Sequence, residues 1–462
     1  MSWEGKMNEP LEIKDSQLNG IQVTNEFLVP LFLEAIDELN KQFLKGSIKE
    51  VSFNSYRATE FKENPIFYDN ISTRPFGSNN RPIVTGCKFY TSHYVGSFSY
   101  NGISIIITPR FGATIFSYLM KYATNLYIPN SLTAFTMLKA NPSWLIVLVW
   151  KAMLNKALIN SHIPKQYISE QKNLRYFKGR LLMSKHLKQN LVDKSRFYCS
   201  YHKLSADNVI NQTIRYTLRI LKKYNVSTLL QEYYGYDEKL ESIGVSNSTV
   251  TIEEIDSIKF NKLTYVYKDV VEVSKLIISH HNSKHDATSN WYNGLSYFID
   301  IAELWEMYIL KLLQRKLKEF RVYSPNIIGG EYLLNGKSRS IRPDIIIEKK
   351  GRIVMIIDAK YKRYSKIGQS ASEINCVSRE DLYQMCTYLY HYGNEGDKIV
   401  GLFVSPFSKE ENENLIFTNN SKHRIGILNL PLDSINNENS VRKIIREEES
   451  FICRISNLLN NL

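Results

Sequence analysis

The chain has 462 residues, 43% of them hydrophobic and 12% aromatic, which excludes a disordered chain and is too long for one ordinary core, so two or three domains are expected. A net charge of +13, with a pI of about 9.2, favours a polyanionic partner, nucleic acid foremost, although an AT-rich coding bias toward Lys, Asn, Ile and Tyr accounts for it equally well. The five cysteines are scattered with no CxxC pair, which argues against a disulfide framework and a structural zinc site; with early acids and no apolar core in MSWEGKMNEPLEIKD, a cytoplasmic chain without a signal peptide is expected.

Residues 10–30 read as irregular or short-stranded. Pro30 to Lys45 then places Leu33, Ile36, Leu39 and Phe43 at helical spacing. Residues 49–108, rich in Tyr, Phe, Ser, Thr, Gly and Asn, predict a β-rich module that ends in a strand from Ile103 to Ile107. Thr114 to Ala123 turns helical, and helices are expected to dominate to about residue 225. The most apolar run, Trp144 to Trp150 (WLIVLVW), is far shorter than the roughly 20 residues a membrane span needs. With Asn141 as N-cap and Pro142 in the first turn, it predicts a buried helix. Asn208 to Tyr224 carries Ile210, Ile214, Leu218 and Leu221 on one helical face. Residues 225–278 give mixed signals, and the polar stretch SHHNSKHDATSN, Ser279 to Asn290, marks a domain boundary.

Beyond that boundary the order is a helix from Leu295 to Phe320, strands, a helix from Asp381 to Tyr392 and a strand from Ile399 to Pro406. This is an α/β pattern, closed by a helix from Ser440 to Leu459. Within it lies IRPDIIIEKKGRIVMIIDAKYKRY, Ile341 to Tyr364. Asp344 opens one apolar run and Asp358 and Lys360 close the next, with the turn Glu348 to Arg352 between. Alternation puts Asp358 and Lys360 on one face, with Ile357 and Ala359 on the other. A hairpin would return Asp344 to Asp358. Two neighbouring carboxylates repel, and a divalent cation relieves that repulsion; oxygen ligands suit Mg²⁺ or Mn²⁺. A lysine beside them can stabilise charge on a phosphate, which makes a set equipped to cut a phosphodiester. A solvated strand end is the bland alternative. On the following helix Gln384 and Tyr388 share a face, and the preceding helix offers Glu306, or less readily Glu303, as a further oxygen ligand.

The set RPD, DAK after thirteen intervening residues and DLYQMCTYLY resembles the PD-(D/E)xK nuclease superfamily. The order LWEMYIL, IRPDIII, IIDAKYK, DLYQMCTYLYHY, with ISIIITPRFGATIFSYLMKYA, LRYFKGRLL and YHKLSADNVINQTIRYTLRIL before it, narrows this to a resemblance to the McrC family, over roughly residues 100–410. That family supplies the nuclease subunit of McrBC-type, 5-methylcytosine-specific restriction systems. The resemblance implies a mixed α/β chain in three parts: a β-rich N-terminal module (1–125), a mainly helical partner-docking region (126–285) and a PD-(D/E)xK nuclease domain (286–462). It implies Asp344 and Asp358 as metal ligands with Glu306 the weakest candidate, Lys360 as the catalytic lysine, and Gln384 and Tyr388 as positioning groups. The partner implied is a McrB-type AAA+ GTPase hexamer, which binds the GTP and recognises modified double-stranded DNA; Arg180 is a candidate for reaching its nucleotide site.

GGEYLLNGKS, Gly329 to Ser338, mimics a phosphate-binding loop, but Glu331 stands where a glycine is needed and Asn335-Gly336 reads as a hairpin turn, so no GTP site is expected in this chain. Lys362, Arg363 and Lys366 could grip DNA phosphates, or form a solvated loop. His280, His281 and His285 read as linker residues more than as a metal site. A second function class stays open: a non-catalytic scaffold and GTPase activator that keeps a nuclease fold to hold DNA.

Overall fold

A computed structural model describes residues 2–3, 11–16, 21–23, 27–45, 49–51, 64–74, 83–101, 103–124, 144–159, 162–223, 230–231, 233–282, 297–325, 331–334, 338–364, 367, 376–393, 398–408, 416–418, 422–435 and 440–460. The chain divides into two compact units, one made of residues 1–142 with 290–462 and the other of residues 143–289. Among the described residues no helix is long and apolar enough to cross a membrane.

The first unit begins with β1 (Ser2–Trp3), β2 (Leu11–Lys14), β3 (Ile21–Val23), α1 (Val29–Leu44), β4 (Lys49–Val51), β5 (Ile66–Arg74), β6 (Ile83–Thr91), β7 (Tyr94–Tyr100), β8 (Ile103–Thr108) and α2 (Gly112–Thr124). Phe32, Ile36, Leu39 and Phe43 bury one face of α1; Leu33, read from spacing as a core position, is only half-buried beside them. These side chains pack on β6, β7 and β8. A turn from Pro109 leads into α2, with the Gly112 N–H donating to the Pro109 carbonyl at 2.9 Å; Gly112 takes φ +83°, where a side chain would be strained.

The second unit holds α3 (Trp144–Ile159), β9 (Gln166–Leu174), β10 (Arg180–Leu181), α4 (Met183–Asn190), β11 (Phe197–Ser205), α5 (Val209–Lys222), α6 (Tyr234–Ser242), α7 (Ile252–Asp256) and α8 (Lys268–Asn282). The WLIVLVW run does form a helix, buried from Ile146 to Trp150, and Trp150 donates its indole N–H to Ser274 of α8 at 2.8 Å. The proposed cap residues Asn141 and Pro142 lie outside the described residues. Asn208 caps α5 by accepting the Asn211 N–H at 3.2 Å. Within the region where helices were expected to dominate, β10, β11 and β9 form an antiparallel sheet in that order. Most β9 side chains face solvent, so no alternation of apolar residues announces the strand.

The first unit resumes with β12 (Tyr297–Asp300), α9 (Ile301–Lys316), β13 (Arg321–Tyr323), β14 (Glu331–Leu334), β15 (Ser338–Ile341), β16 (Ile345–Lys349), β17 (Arg352–Ala359), α10 (Arg379–Tyr392), β18 (Val400–Ser405), β19 (Ile416–Phe417), β20 (Arg424–Asn429) and α11 (Ser440–Asn460). Within the expected Leu295–Phe320 helix, Tyr297–Asp300 is a strand instead, and residues 295–296 lie outside the described set. β12 pairs with β7 and β4 to complete the sheet β2-β8-β7-β12-β4, and Asp300 caps α9 by accepting the N–H groups of Ala302 and Glu303 at 2.8 and 3.1 Å. β14 and β15 pair antiparallel, as a hairpin reading of Asn335-Gly336 requires, though residues 335–337 themselves lie outside the described set.

The sheet that carries the candidate site runs β13-β16-β17-β18-β20-β19. β16 and β17 are antiparallel, and β17, β18 and β20 are parallel. The EKKGR turn closes with Lys349 opposite Arg352. Lys350 and Gly351 between them take φ +52° and +80°, the two positive values of a tight hairpin turn whose twist suits the strands. Ile345, Ile346, Ile347, Met355, Ile356 and Ile357 are all fully buried, as a strand covered on both faces requires. One cover is α10, which approaches so closely that a Cβ on Gly401 would meet the Met385 sulfur at 2.6 Å.

Candidate active site

The hairpin register sets Ile345 opposite Ile357, so Asp344 arrives beside Asp358 at the strand ends. An oxygen of Asp344 accepts the Ala359 N–H at 2.8 Å, which ties the first acid to the strand bearing the second. Asp358 is buried, and the two carboxyls face one another. Burial first, and the neighbouring Asp344 charge next, push the Asp358 carboxyl well above the usual carboxylate range.

Lys360 follows on the same strand face and is fixed at both ends. Its backbone N–H donates to the Val404 carbonyl at 2.9 Å. Its Nζ lies 3.0 Å from Asp358 Oδ2 and 3.2 Å from Asp381 Oδ1, and donates to Gln384 Oε1 at 3.2 Å. Burial works against the ammonium charge, but Asp358, Asp344 and Asp381 outweigh it and hold Lys360 protonated well past its ordinary range. Asp381 was not singled out from sequence as a site residue. It stands three positions before Gln384 and therefore on the same helical side, a signal that was available. Burial opposes its charge, but Lys360 and hydrogen bonds from Tyr364 and Ser378 hold its carboxyl below the usual range.

Gln384 and Tyr388 behave as the helical spacing predicts. Gln384 Nε2 donates to the Tyr388 hydroxyl at 2.7 Å, and that hydroxyl donates to the Arg342 carbonyl at 3.3 Å. One chain of contacts thus runs from the segment before Asp344, through α10, to the Lys360 ammonium. Glu306 and Glu303 are both on α9, Glu306 half-buried and Glu303 buried. Among the described residues no three carboxylate, imidazole or thiol side chains form a metal-holding cluster, so Glu306 is not gathered with Asp344 and Asp358. The acid pair is nonetheless a suitable donor set. Asp358 Oδ2 is buried with the Lys360 ammonium as its neighbour, and two facing carboxylates with oxygen donors only are what a hard divalent cation takes.

Of the loop cations, Lys362 is exposed, while Arg363 is ion-paired with Asp433 at 3.0 Å and lies over the Phe407 ring. Lys366 lies outside the described residues. His280 and His281 are in α8, and His285 falls outside the described set. In the second unit Arg180 is exposed in β10, next to Gly179, whose φ is +69° and where a Cβ would clash with the Ser200 carbonyl. Near it in sequence the surface carries apolar side chains that sequence patterning missed: Tyr176, Phe177, Met183, Leu187, Leu191 and Val192 are all more than half exposed. Met183, Leu187 and Leu191 recur every four residues along α4 and its end, an outward stripe with no core to meet.

Residues 90–403 match the family described as McrBC 5-methylcytosine restriction system component. Half of the chain, 239 residues, is similar at 25% identity to the type IV methyl-directed restriction enzyme EcoKMcrBC of Escherichia coli K12, covering 67% of that protein. The fold is similar, at a TM-score of 0.53 and 17% identity, to a chain in the half-complex of Thermococcus gammatolerans McrB AAA+ hexamers with bound McrC, with 97% of this chain and all of that one covered.

Proposed function

The chain belongs to the McrBC 5-methylcytosine restriction system components, and on that premise we propose that it is the subunit of the complex that cuts DNA. The reading is that of a PD-(D/E)xK endonuclease, active with an AAA+ GTPase partner of the McrB type. The observation that carries it is the convergence on Lys360 of Asp358, Asp381 and Gln384, with Asp344 brought across by the hairpin.

Asp344 and Asp358 would hold Mg²⁺ or Mn²⁺, relieving the repulsion that burial imposes on the pair. When bound, such a cation supplies Lewis acidity and shields the phosphate charge. Lys360, kept charged by its carboxylate neighbours, presents its ammonium to the oxygen on which negative charge grows as the phosphodiester is attacked. Gln384 sets the direction of that ammonium and Tyr388 sets Gln384, so the donor is oriented before DNA arrives. Lys362, exposed on this loop, would meet backbone phosphates beside the cut; Arg363, engaged by Asp433, would contribute mainly to holding the loop.

The partner is assigned to the second unit. The GTPase hexamer binds and hydrolyses GTP and recognises the modified cytosine, and this chain docks on it. The exposed apolar group at Tyr176, Phe177, α4 and Val192, interspersed with Lys178, Arg180 and Lys185, supports that assignment, because so much apolar surface is costly in water unless it is covered. The test is cleavage of methylated plasmid by this chain with its partner, GTP and Mg²⁺. Lys360→Ala is expected to abolish cutting and to leave stimulation of the GTPase intact; equal cutting by the variant would refute the assignment.

A further inference from the structure

The segment after the catalytic lysine is held carbonyl by carbonyl. Ser405 Oγ donates to the Lys362 carbonyl at 2.6 Å and Asn429 Nδ2 to the Tyr364 carbonyl at 3.3 Å, both from strands of the same sheet. The donor to the Tyr361 carbonyl comes from elsewhere in the sequence. It is the guanidinium of Arg110, at 2.9 Å, from the turn between β8 and α2. The guanidinium also lies 4.0 Å from the centre of the Tyr361 ring, with Phe407 at 4.8 Å and Phe111 at 5.4 Å completing an aromatic box. Its charge is balanced by Asp15, which is fully buried. Asp15 Oδ2 is 3.4 Å from Arg110 Nε, and Oδ1 accepts the Arg110 backbone N–H.

A guanidinium whose side chain is only 15% exposed, set beside a fully buried counter-ion of its own, is a large commitment merely to satisfy one carbonyl. A surface residue or a water would serve as well. What this arrangement adds is direction. A planar, always-charged group stacked on Tyr361 and bonded to its carbonyl fixes both side chain and backbone one residue after Lys360. The Lys360 N–H to Val404 bond fixes the other side of the same residue.

We propose that Arg110, backed by Asp15, is a positioning residue for the cleavage reaction: it clamps Tyr361 from the N-terminal sheet and thereby fixes where the Lys360 ammonium sits. The inference rests on the nuclease reading above and extends it to residues far from the motif in sequence.

The experiment compares Arg110→Lys with the parent chain in the partner complex. Lysine keeps the charge opposite Asp15 but cannot both stack flat on Tyr361 and bond its carbonyl. Hydrogen exchange of the 358–364 segment is measured alongside cleavage kinetics. Faster exchange confined to that segment is expected, with kcat lowered about tenfold to hundredfold, the usual cost of misplacing a catalytic group by about an ångström. KM for DNA and GTPase stimulation should be unchanged. Tyr118→Phe, which removes a hydrogen bond to Glu448 in the same unit, controls for general loosening and should leave kcat at the parental value. Unchanged exchange in Arg110→Lys overturns the clamp. Faster exchange with parental kcat overturns the positioning role. A parent complex that does not cut at all refutes the nuclease reading separately, while the exchange result still decides whether Arg110 holds the loop.

Discussion

Asp15 sits fully buried against Arg110, and burial outweighs the attraction of Arg110, the hydrogen bonds it accepts from Arg110 and Tyr361, and the charge of His93, so its pKa is pushed up from 3.8 to about 6. A carboxyl whose folded pKa is raised binds its proton more tightly in the native chain than in the unfolded one. Between those two values the native state holds the extra proton, so stability falls as pH rises through the window. The span of about 2 pH units is worth about 3 kcal/mol at 1.36 kcal/mol each. This contribution is fully present below the unfolded value and gone above about pH 6. Asp15→Asn carries no charge at any pH, so the stability of the parent minus that of the variant should drop by about 3 kcal/mol between about pH 4 and about pH 7. Urea unfolding of both proteins at a series of pH values measures it, and titrations common to both cancel in the difference. A difference that stays flat across the window, or one that grows with pH, would refute the electrostatic account of this joint.

Gln384→Ala removes the group that aims Lys360 and should lower kcat by roughly tenfold with little change in DNA affinity, read from steady-state cleavage and a filter-binding assay. Gly401→Ala forces a Cβ into the Met385 sulfur and should cost about 1–3 kcal/mol of stability by urea unfolding, a loss that Met385→Ala in the same chain should partly reverse. Val192→Asp and Phe177→Ser change exposed side chains, so thermal unfolding should stay put. Binding to the GTPase partner, followed by size-exclusion chromatography or fluorescence anisotropy, should weaken at least tenfold.

The hairpin was legible because three local signals agreed: apolar runs of strand length, a charged turn with glycine at its second central position, and acids at matching distances from that turn. The Gln384–Tyr388 face was legible for the same reason, since a helix brings residues four apart together wherever it forms. The strands β9 and β11 were not. They lie in a sheet with little apolar cover, and Gln166 to Leu174 carries polar residues on both faces. β12 was absorbed into the helix that follows, because Asp300 caps α9 directly and no turn separates the two. Asp381 went unassigned because it also looks like a helix-start acid, and it does accept from Ser378 in that role. Arg110 could not have been found locally at all. It meets Tyr361 across 251 positions of sequence, and only the folded chain brings them together.

The central claim is that this chain holds the cutting site of the complex. The direct measurement is cleavage of methylated against unmodified plasmid by the chain, its GTPase partner, GTP and Mg²⁺, with the parent and Lys360→Ala run side by side. The account predicts that the parent cuts methylated plasmid alone, and that Lys360→Ala cuts neither while stimulating GTP hydrolysis as the parent does. Normal stimulation by the parent with no metal-dependent cutting of either plasmid would contradict it and leave a scaffold in its place.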